Sequence, residues 1–243
     1  MNDTRMALVI PAWNEVHRLQ ERAFLDFVQQ QDLVDLRFVD DGSTDGTAAR
    51  LDALQQAAPQ RIVVQRLSRN AGKGEAVRLG LRTALDGGYP LVAYLDADLA
   101  APLRTALLLR DALLADPSLT LVLGSRVKLL GWEIERSERR HYLGRVFATF
   151  ASMALGLAVY DTQCGAKALR AGAAADAATA TPFLSRWLFD VELLARLRQA
   201  GAAMHELPLP VWKDPGGSSV RLGDFLRAPL ELWRIHRRYP PGR

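Results

Sequence analysis

Two aspartates one residue apart close an apolar run, in Leu95-Asp96-Ala97-Asp98. Carboxylates at i and i+2 near a strand end can converge on one divalent cation, because the backbone turns there and the second side chain swings back. Oxygen-only ligation suits Mg2+ or Mn2+, which retain waters and engage substrate phosphates. The same residues also read as a solvated strand-to-loop turn, since Asp is common in turns. A second cluster, Val39-Asp40-Asp41-Gly42-Ser43-Thr44-Asp45-Gly46-Thr47, puts three aspartates and two glycines after another apolar run. Asp45 is expected to cap the following helix, leaving Asp40 and Asp41 free to accept hydrogen bonds from a nucleobase edge or ribose hydroxyls. A third, Asn70-Ala71-Gly72-Lys73-Gly74, precedes a helix. Lys73 beside that helix N-terminus favours an anion such as a diphosphate, although a capped helix start explains the residues equally. It is not a P-loop, and no G-x-G-x-x-G follows the first strand.

The elements that must carry these residues alternate. Met6 to Ile10, Leu36 to Asp40, Arg61 to Arg66, Leu91 to Asp96 and Leu119 to Gly124 are predicted strands. Thr47 to Ala57 and Gly74 to Leu85 have helical spacing between them. That alternation implies an α/β fold with a mostly parallel central sheet and helices on both faces. Ligands of such sheets bind beyond the C-terminal ends of the strands. Asn14, Glu15, Asp40, Asp41, Asn70, Asp96 and Asp98 all fall there. Beyond Gly124 the pattern changes. Residues 126 to 145 hold six Lys/Arg, then comes an uncharged apolar stretch from Val146 to Tyr160 and the turn-rich DTQCGAK. Ala171 to Thr181 reads as a helical spacer. A helix over Leu184 to Gln199, a strand over Ala203 to Leu207 and a basic amphipathic tail over Gly223 to Arg238 complete the reading. Without repeats or a flexible linker, one domain is expected, with a binding half over about 1–124 and an acceptor-side half over about 125–243.

Composition agrees with a folded globular chain: 243 residues, 49% hydrophobic and 24% charged. A net charge of +4 admits acidic partners without choosing among them. Nucleic acid is disfavoured, because the basic residues sit beside apolar stretches without a recognition module. His17, His141, His205 and His236 are scattered and suggest no metal cluster. The single cysteine, Cys164, excludes an internal disulfide and fits a reducing compartment. The N-terminal residues lack a signal-peptide pattern. The apolar stretch, roughly 22 Å as a helix, is too short to cross the roughly 30 Å hydrocarbon core.

Taken together, IPAWNE, VDDGSTDGT, the N-A-G-K-G turn and LDAD resemble the inverting family 2 glycosyltransferases of GT-A fold. Gly124-Ser125-Arg126, DTQCGAK, Arg186-Trp187 and FDVELL are similar to the dolichyl-phosphate β-glucosyltransferase branch and its relatives that glycosylate polyprenyl phosphates. The resemblance implies that Pro11, Ala12 and Glu15 line the nucleotide pocket, with Asp41 on the base and Asp40 supporting it. It places Asn70 and Lys73 with the donor, Asp96 near the donor sugar, and Asp98 on the metal. It gives Arg126, with Arg139 or Arg140, the acceptor phosphate, and sets Gln163 and Asp190 close to the reacting sugar. Where mannosyl relatives often carry a third metal contact, this chain has Ala100. The eukaryotic glucosyl members also carry an N-terminal anchor absent from this sequence, so membrane attachment is expected to come from elsewhere.

The implied reaction moves a hexose from a nucleotide-sugar, with UDP-glucose first and GDP-mannose second, onto a lipid phosphate. A hydroxyl acceptor needs a general base, for which Asp190 is the candidate. A phosphate monoester does not, since its second pKa is about 6. The apolar stretch and the basic tail then suit a peripheral site at the cytoplasmic face of a membrane. Rivals are a soluble hydroxyl acceptor, such as a growing polysaccharide, and a catalytically silent nucleotide-sugar-binding scaffold.

Overall fold

This computed structural model describes residues 4–135, 138–213 and 222–241, without the side chains of 138–146 and 222–226. Strands β1 (Met6–Ala12), β2 (Val34–Asp40), β3 (Ile62–Arg66) and β4 (Leu91–Leu95) alternate with helices α1 (Glu21–Gln30), α2 (Thr47–Ala57) and α3 (Lys73–Asp86). Then follow α4 (Thr105–Ala115), β5 (Leu119–Ser125), β6 (Glu133–Glu135), α5 (Glu138–Leu155), β7 (Ala166–Arg170), α6 (Ala173–Thr179), α7 (Phe189–Gln199), β8 (Ala203–Pro208), β9 (Val211–Lys213) and α8 (Leu222–Arg238). One seven-stranded sheet runs β3-β2-β1-β4-β7-β5-β8, and β6 pairs with β9 apart from it.

Alternation along the strands divides the core. Met6, Leu8 and Ile10 point to one layer with Phe24 of α1, Leu51 of α2 and Leu109 of α4. Ala7 and Val9 point to the other, with Val77 of α3, Ala151 and Leu155 of α5 and Leu194 of α7. Both faces of the sheet are thus covered, which is why β1 and β4 at its centre are apolar without interruption.

Register then sets the site. Ala12 lies opposite Asp40, so the β1 and β2 ends are level. The sheet is parallel except at β7, which runs antiparallel between β4 and β5 and puts Ala166 opposite Leu95. The start of β7 therefore lies beside the end of β4, and Gly165 meets Asp96.

Several sequence readings shift. DTQCGAK leads into β7 rather than remaining a turn, and α1 and α4 were not anticipated. The helix expected from Leu184 begins at Phe189, because the Ser185 hydroxyl accepts the Trp187 and Leu188 N–H groups and holds the chain in a turn. The apolar stretch is two-sided: Ala151 and Leu155 are core, whereas Phe150 is 59% and Met153 69% exposed. Among the described residues no helix is long and apolar enough to cross a membrane.

Candidate active site

The first two strand ends are stitched together by short polar contacts. Asn14, in a left-handed conformation (φ 53°), receives its register from two bonds: its N–H donates to Ser43 at 3.0 Å and its side chain accepts the Thr44 N–H at 2.9 Å. The Glu15 N–H donates to the Thr47 hydroxyl at 2.7 Å. Asp45 accepts the Thr47 N–H at 3.0 Å and the Val16 N–H at 3.2 Å, so it braces the start of α2 and ties down the β1 loop, but the N-cap itself is Gly46, one residue later than the sequence suggested. Pro11 and Ala12 end β1 in the interior, and the Ala12 carbonyl accepts the Asp41 N–H at 2.9 Å.

Asp40 and Asp41 are not the free carboxylates the sequence suggested. Both are buried. Asp41 accepts the N–H groups of Ala71 and Gly72 at 2.6 and 2.8 Å, and so clamps the turn that begins α3. Asp40 accepts the Ser43 N–H at 3.0 Å and faces Arg66 at 3.8 Å. Gly42 explains the tight packing of the two loops: at φ +68°, a Cβ there would stand 2.6 Å from the Arg69 backbone. Burial, partly offset by those two N–H donors, holds the Asp41 carboxyl above the usual range.

At the end of β4 the two rim aspartates meet a cation of the protein itself. Lys73, the first residue of α3, sets its ammonium 2.6 Å from Asp96 Oδ1. Desolvation alone would lower the Lys73 pKa, but Asp96, Asp190 and Asp98 together raise it. Asp98 accepts the Ala100 N–H at 3.1 Å, and Leu99 between them takes a left-handed φ of 54°, costly for a branched residue. Desolvation first, and the Asp96 charge second, push the Asp98 carboxyl up. Two carboxylates that repel each other at a partly open rim form a hard oxygen donor set. It fits a Mg2+ or Mn2+ ion that draws its other ligands from water and substrate phosphate. Among the described residues no group of three His, Cys, Asp or Glu could hold a metal, and this pair is the candidate for such a site.

Gly165 backs the pair. A Cβ at Gly165 would fall 2.2 Å from Asp96 Oδ2. Gly165→Ala is therefore expected to displace the Asp96 carboxylate while sparing the core. Donor kcat/KM should fall by about a hundredfold with little change in melting temperature. Activity within threefold of wild type would contradict this placement.

Asp190, in the first turn of α7, is buried and held. Its Oδ1 accepts from the fully buried Lys167 ammonium at 2.6 Å and from the Tyr94 hydroxyl. Lys167 also donates to the Cys164 carbonyl at 2.7 Å. Burial and then the Asp190 charge drive the Tyr94 pKa well above its ordinary value, so the phenol stays a donor. Arg126 follows β5 and is paired through Nε and Nη2 with Asp161 at 2.6 and 2.8 Å, and stacks 4.9 Å from the Trp212 ring centre. It is thus not a bare cation waiting for an anion. The side chains of Arg139 and Arg140 lie outside the described residues. Gln163 is half-buried in the loop that leads to Gly165. Asn70 accepts from Arg186, which stands against Gly72. Gly165, Tyr94, Lys167 and Arg186 were not assigned site roles from sequence. Gly165, Lys167 and Arg186 sit in noticed motifs, but only tertiary packing shows what they touch.

Comparison with known proteins agrees with this geometry. The family model described as glycosyl transferase family 2 matches residues 7–175. Polyprenol monophosphomannose synthase of Mycolicibacterium smegmatis is 30% identical over 230 residues, covering 93% of this chain and 84% of that protein. Dolichyl-phosphate beta-glucosyltransferase of Mus musculus is 30% identical over 254 residues, covering 98% and 76%. Among solved structures, glucosyl-3-phosphoglycerate synthase from Mycobacterium tuberculosis, in complex with Mn2+, UDP and phosphoglyceric acid, superposes with a TM-score of 0.68 at 21% identity. That match covers 99% of this chain and 80% of that one. The architecture is the GT-A fold.

Proposed function

Because this chain belongs to glycosyl transferase family 2, we propose that it transfers a hexose from a nucleoside-diphosphate sugar to a polyprenyl-type lipid phosphate at a membrane surface. Glucose from UDP-glucose is the first donor to test and GDP-mannose the second, since relatives at equal identity carry glucosyl and mannosyl names. The observation that carries the acceptor class is the state of the rim carboxylates. Glu15 is bound by Arg18 at 2.7 and 2.8 Å, Asp161 by Arg126, and Asp190 by Lys167 and Tyr94. Asp40 and Asp41 serve the loops. No rim carboxylate outside the Asp96–Asp98 pair is left without donors among the described residues, which suits an acceptor that arrives already ionised.

In the proposed reaction an acceptor phosphate oxygen attacks the anomeric carbon in line. The bond to the donor diphosphate breaks, and its electron pair leaves with the nucleoside diphosphate. Lys73 and the N-terminal N–H groups of α3 receive the diphosphate. Asp98, with Asp96, would hold a divalent cation, which supplies charge neutralisation for the departing group. Gly165 keeps Asp96 in place, and Asp190 is held by Lys167 and Tyr94 beside the reacting sugar.

The surface of α5 and α8 supports membrane contact. These helices pack together, with Ala228, Leu232 and Ile235 inward. Leu230 (50%) and Trp233 (53%) lie outward on α8, as Phe150 and Met153 do on α5. Arg227, Arg234 and Arg237 share the outward side of α8, with Arg237 over the Trp233 ring at 5.3 Å. Apolar side chains ringed by cations fit an anionic, interfacial lipid layer, at the cytoplasmic face in this proposal. Sedimentation with vesicles containing anionic phospholipid should pull down the wild type. A Leu230→Asp/Trp233→Asp variant should bind roughly tenfold more weakly or worse. Absence of wild-type binding would count against a lipid acceptor.

A further inference from the structure

We propose that Lys73 and the divalent cation compete for Asp96, and that Lys73 turns to the donor diphosphate when the metal takes the carboxylate. The inference rests on the donor and metal reading above and adds an exchange of partners within it. A single ammonium serves the Asp96 carboxylate at 2.6 Å, and the charges of Asp98 and Asp190 act on it as well. Lys73 is 43% and Asp96 23% exposed at the side chain, so the pair can be approached from solvent, although the Asp96 Oδ1 that meets the ammonium is itself covered. Exchange then turns on a divalent cation offering that carboxylate a stronger partner than one ammonium does. Lysine carries its charge on a long flexible stem, unlike the fixed fork of arginine. The Asp41 clamp on Ala71 and Gly72 fixes the backbone immediately before Lys73, so the side chain can swing while its helix stays put.

The position of Lys73 gives the swing a destination. It begins α3, whose first N–H groups favour an anion, and its ammonium stands 5.9 Å from the Phe189 ring centre. Because Asp96 and Asp98 are the pair that would hold the metal among the described residues, sharing one of them with Lys73 must weaken metal binding. Once a metal takes Asp96, the lysine is released next to the diphosphate. Donor and metal then bind with mutual support, the lysine being the part that changes partner.

Calorimetric titration with Mn2+ alone, and with inorganic pyrophosphate at saturating Mn2+, tests the exchange on the full chain. Lys73→Met should bind Mn2+ roughly threefold more tightly or better, and pyrophosphate weaker by a similar factor. Lys73→Arg should keep pyrophosphate binding near wild type. Melting curves check that each variant is folded. Unchanged or weaker Mn2+ binding by Lys73→Met, or unchanged pyrophosphate binding, overturns the exchange while leaving the metal site standing. Equal Mn2+ affinity in wild type and Asp98→Asn is a different pattern, and it overturns the metal site and the exchange together.

Discussion

Asp98→Asn is expected to lower sugar transfer by about a thousandfold and to leave the melting temperature unchanged or slightly higher. The two effects have separate causes. Asn keeps an oxygen to accept the Ala100 N–H, so the turn that holds Leu99 at φ 54° survives. What is lost is one of the two negative charges at the rim where the donor diphosphate is proposed to bind. The folded protein holds the Asp98 carboxyl above its usual range, through desolvation first and Asp96 second. An acid whose folded pKa is raised detracts from stability once the pH exceeds its unfolded pKa, and the penalty fades as pH falls. Removing that charge at neutral pH therefore relieves strain. Transfer rates and a thermal melt of the same preparation check both parts. Transfer within tenfold of wild type would sink the assignment of Asp98 to the diphosphate and its cation.

Lys167→Met should be the most damaging substitution for folding, costing about 3–5 kcal/mol and lowering the melting temperature by roughly 10 °C. Lys167 is fully buried on β7 and spends its donors on Asp190 at 2.6 Å and the Cys164 carbonyl at 2.7 Å. Methionine fills similar volume but leaves the Asp190 carboxylate buried with only the Tyr94 hydroxyl. Lys167→Met/Asp190→Leu, which removes the stranded carboxylate as well, should recover part of that stability. Melting curves of both variants decide this. A Lys167→Met protein as stable as wild type would show that the buried pair is not what joins β7 to α7.

The legible part of the site was the part that is local in sequence. Asp96-Ala97-Asp98, Asp45 before α2 and Lys73 at the start of α3 each announce themselves by spacing from a strand or helix end, and the structure puts each at that end. Asp41 was misjudged because its partners, the Ala71 and Gly72 N–H groups, are thirty residues on and become neighbours only when β2 and β3 pair. The same holds for Arg126, whose partner Asp161 comes from the loop before β7. Strand β7 itself was hidden, since Ala166–Arg170 carries alanines and a lysine instead of β-branched residues. The lysine is tolerated there because Asp190 meets it. Helix α1 places Phe24, Phe27 and Val28 at helical spacing, so its signal was present but not used.

The most direct measurement is product formation from UDP-glucose and GDP-mannose with Mn2+, offered polyprenyl phosphate in anionic vesicles alongside phosphoglyceric acid, with mass spectrometry of both fractions. The expected result is a hexosyl polyprenyl phosphate from one donor, absent with Asp98→Asn. Glycosylated phosphoglyceric acid without any lipid product would contradict it.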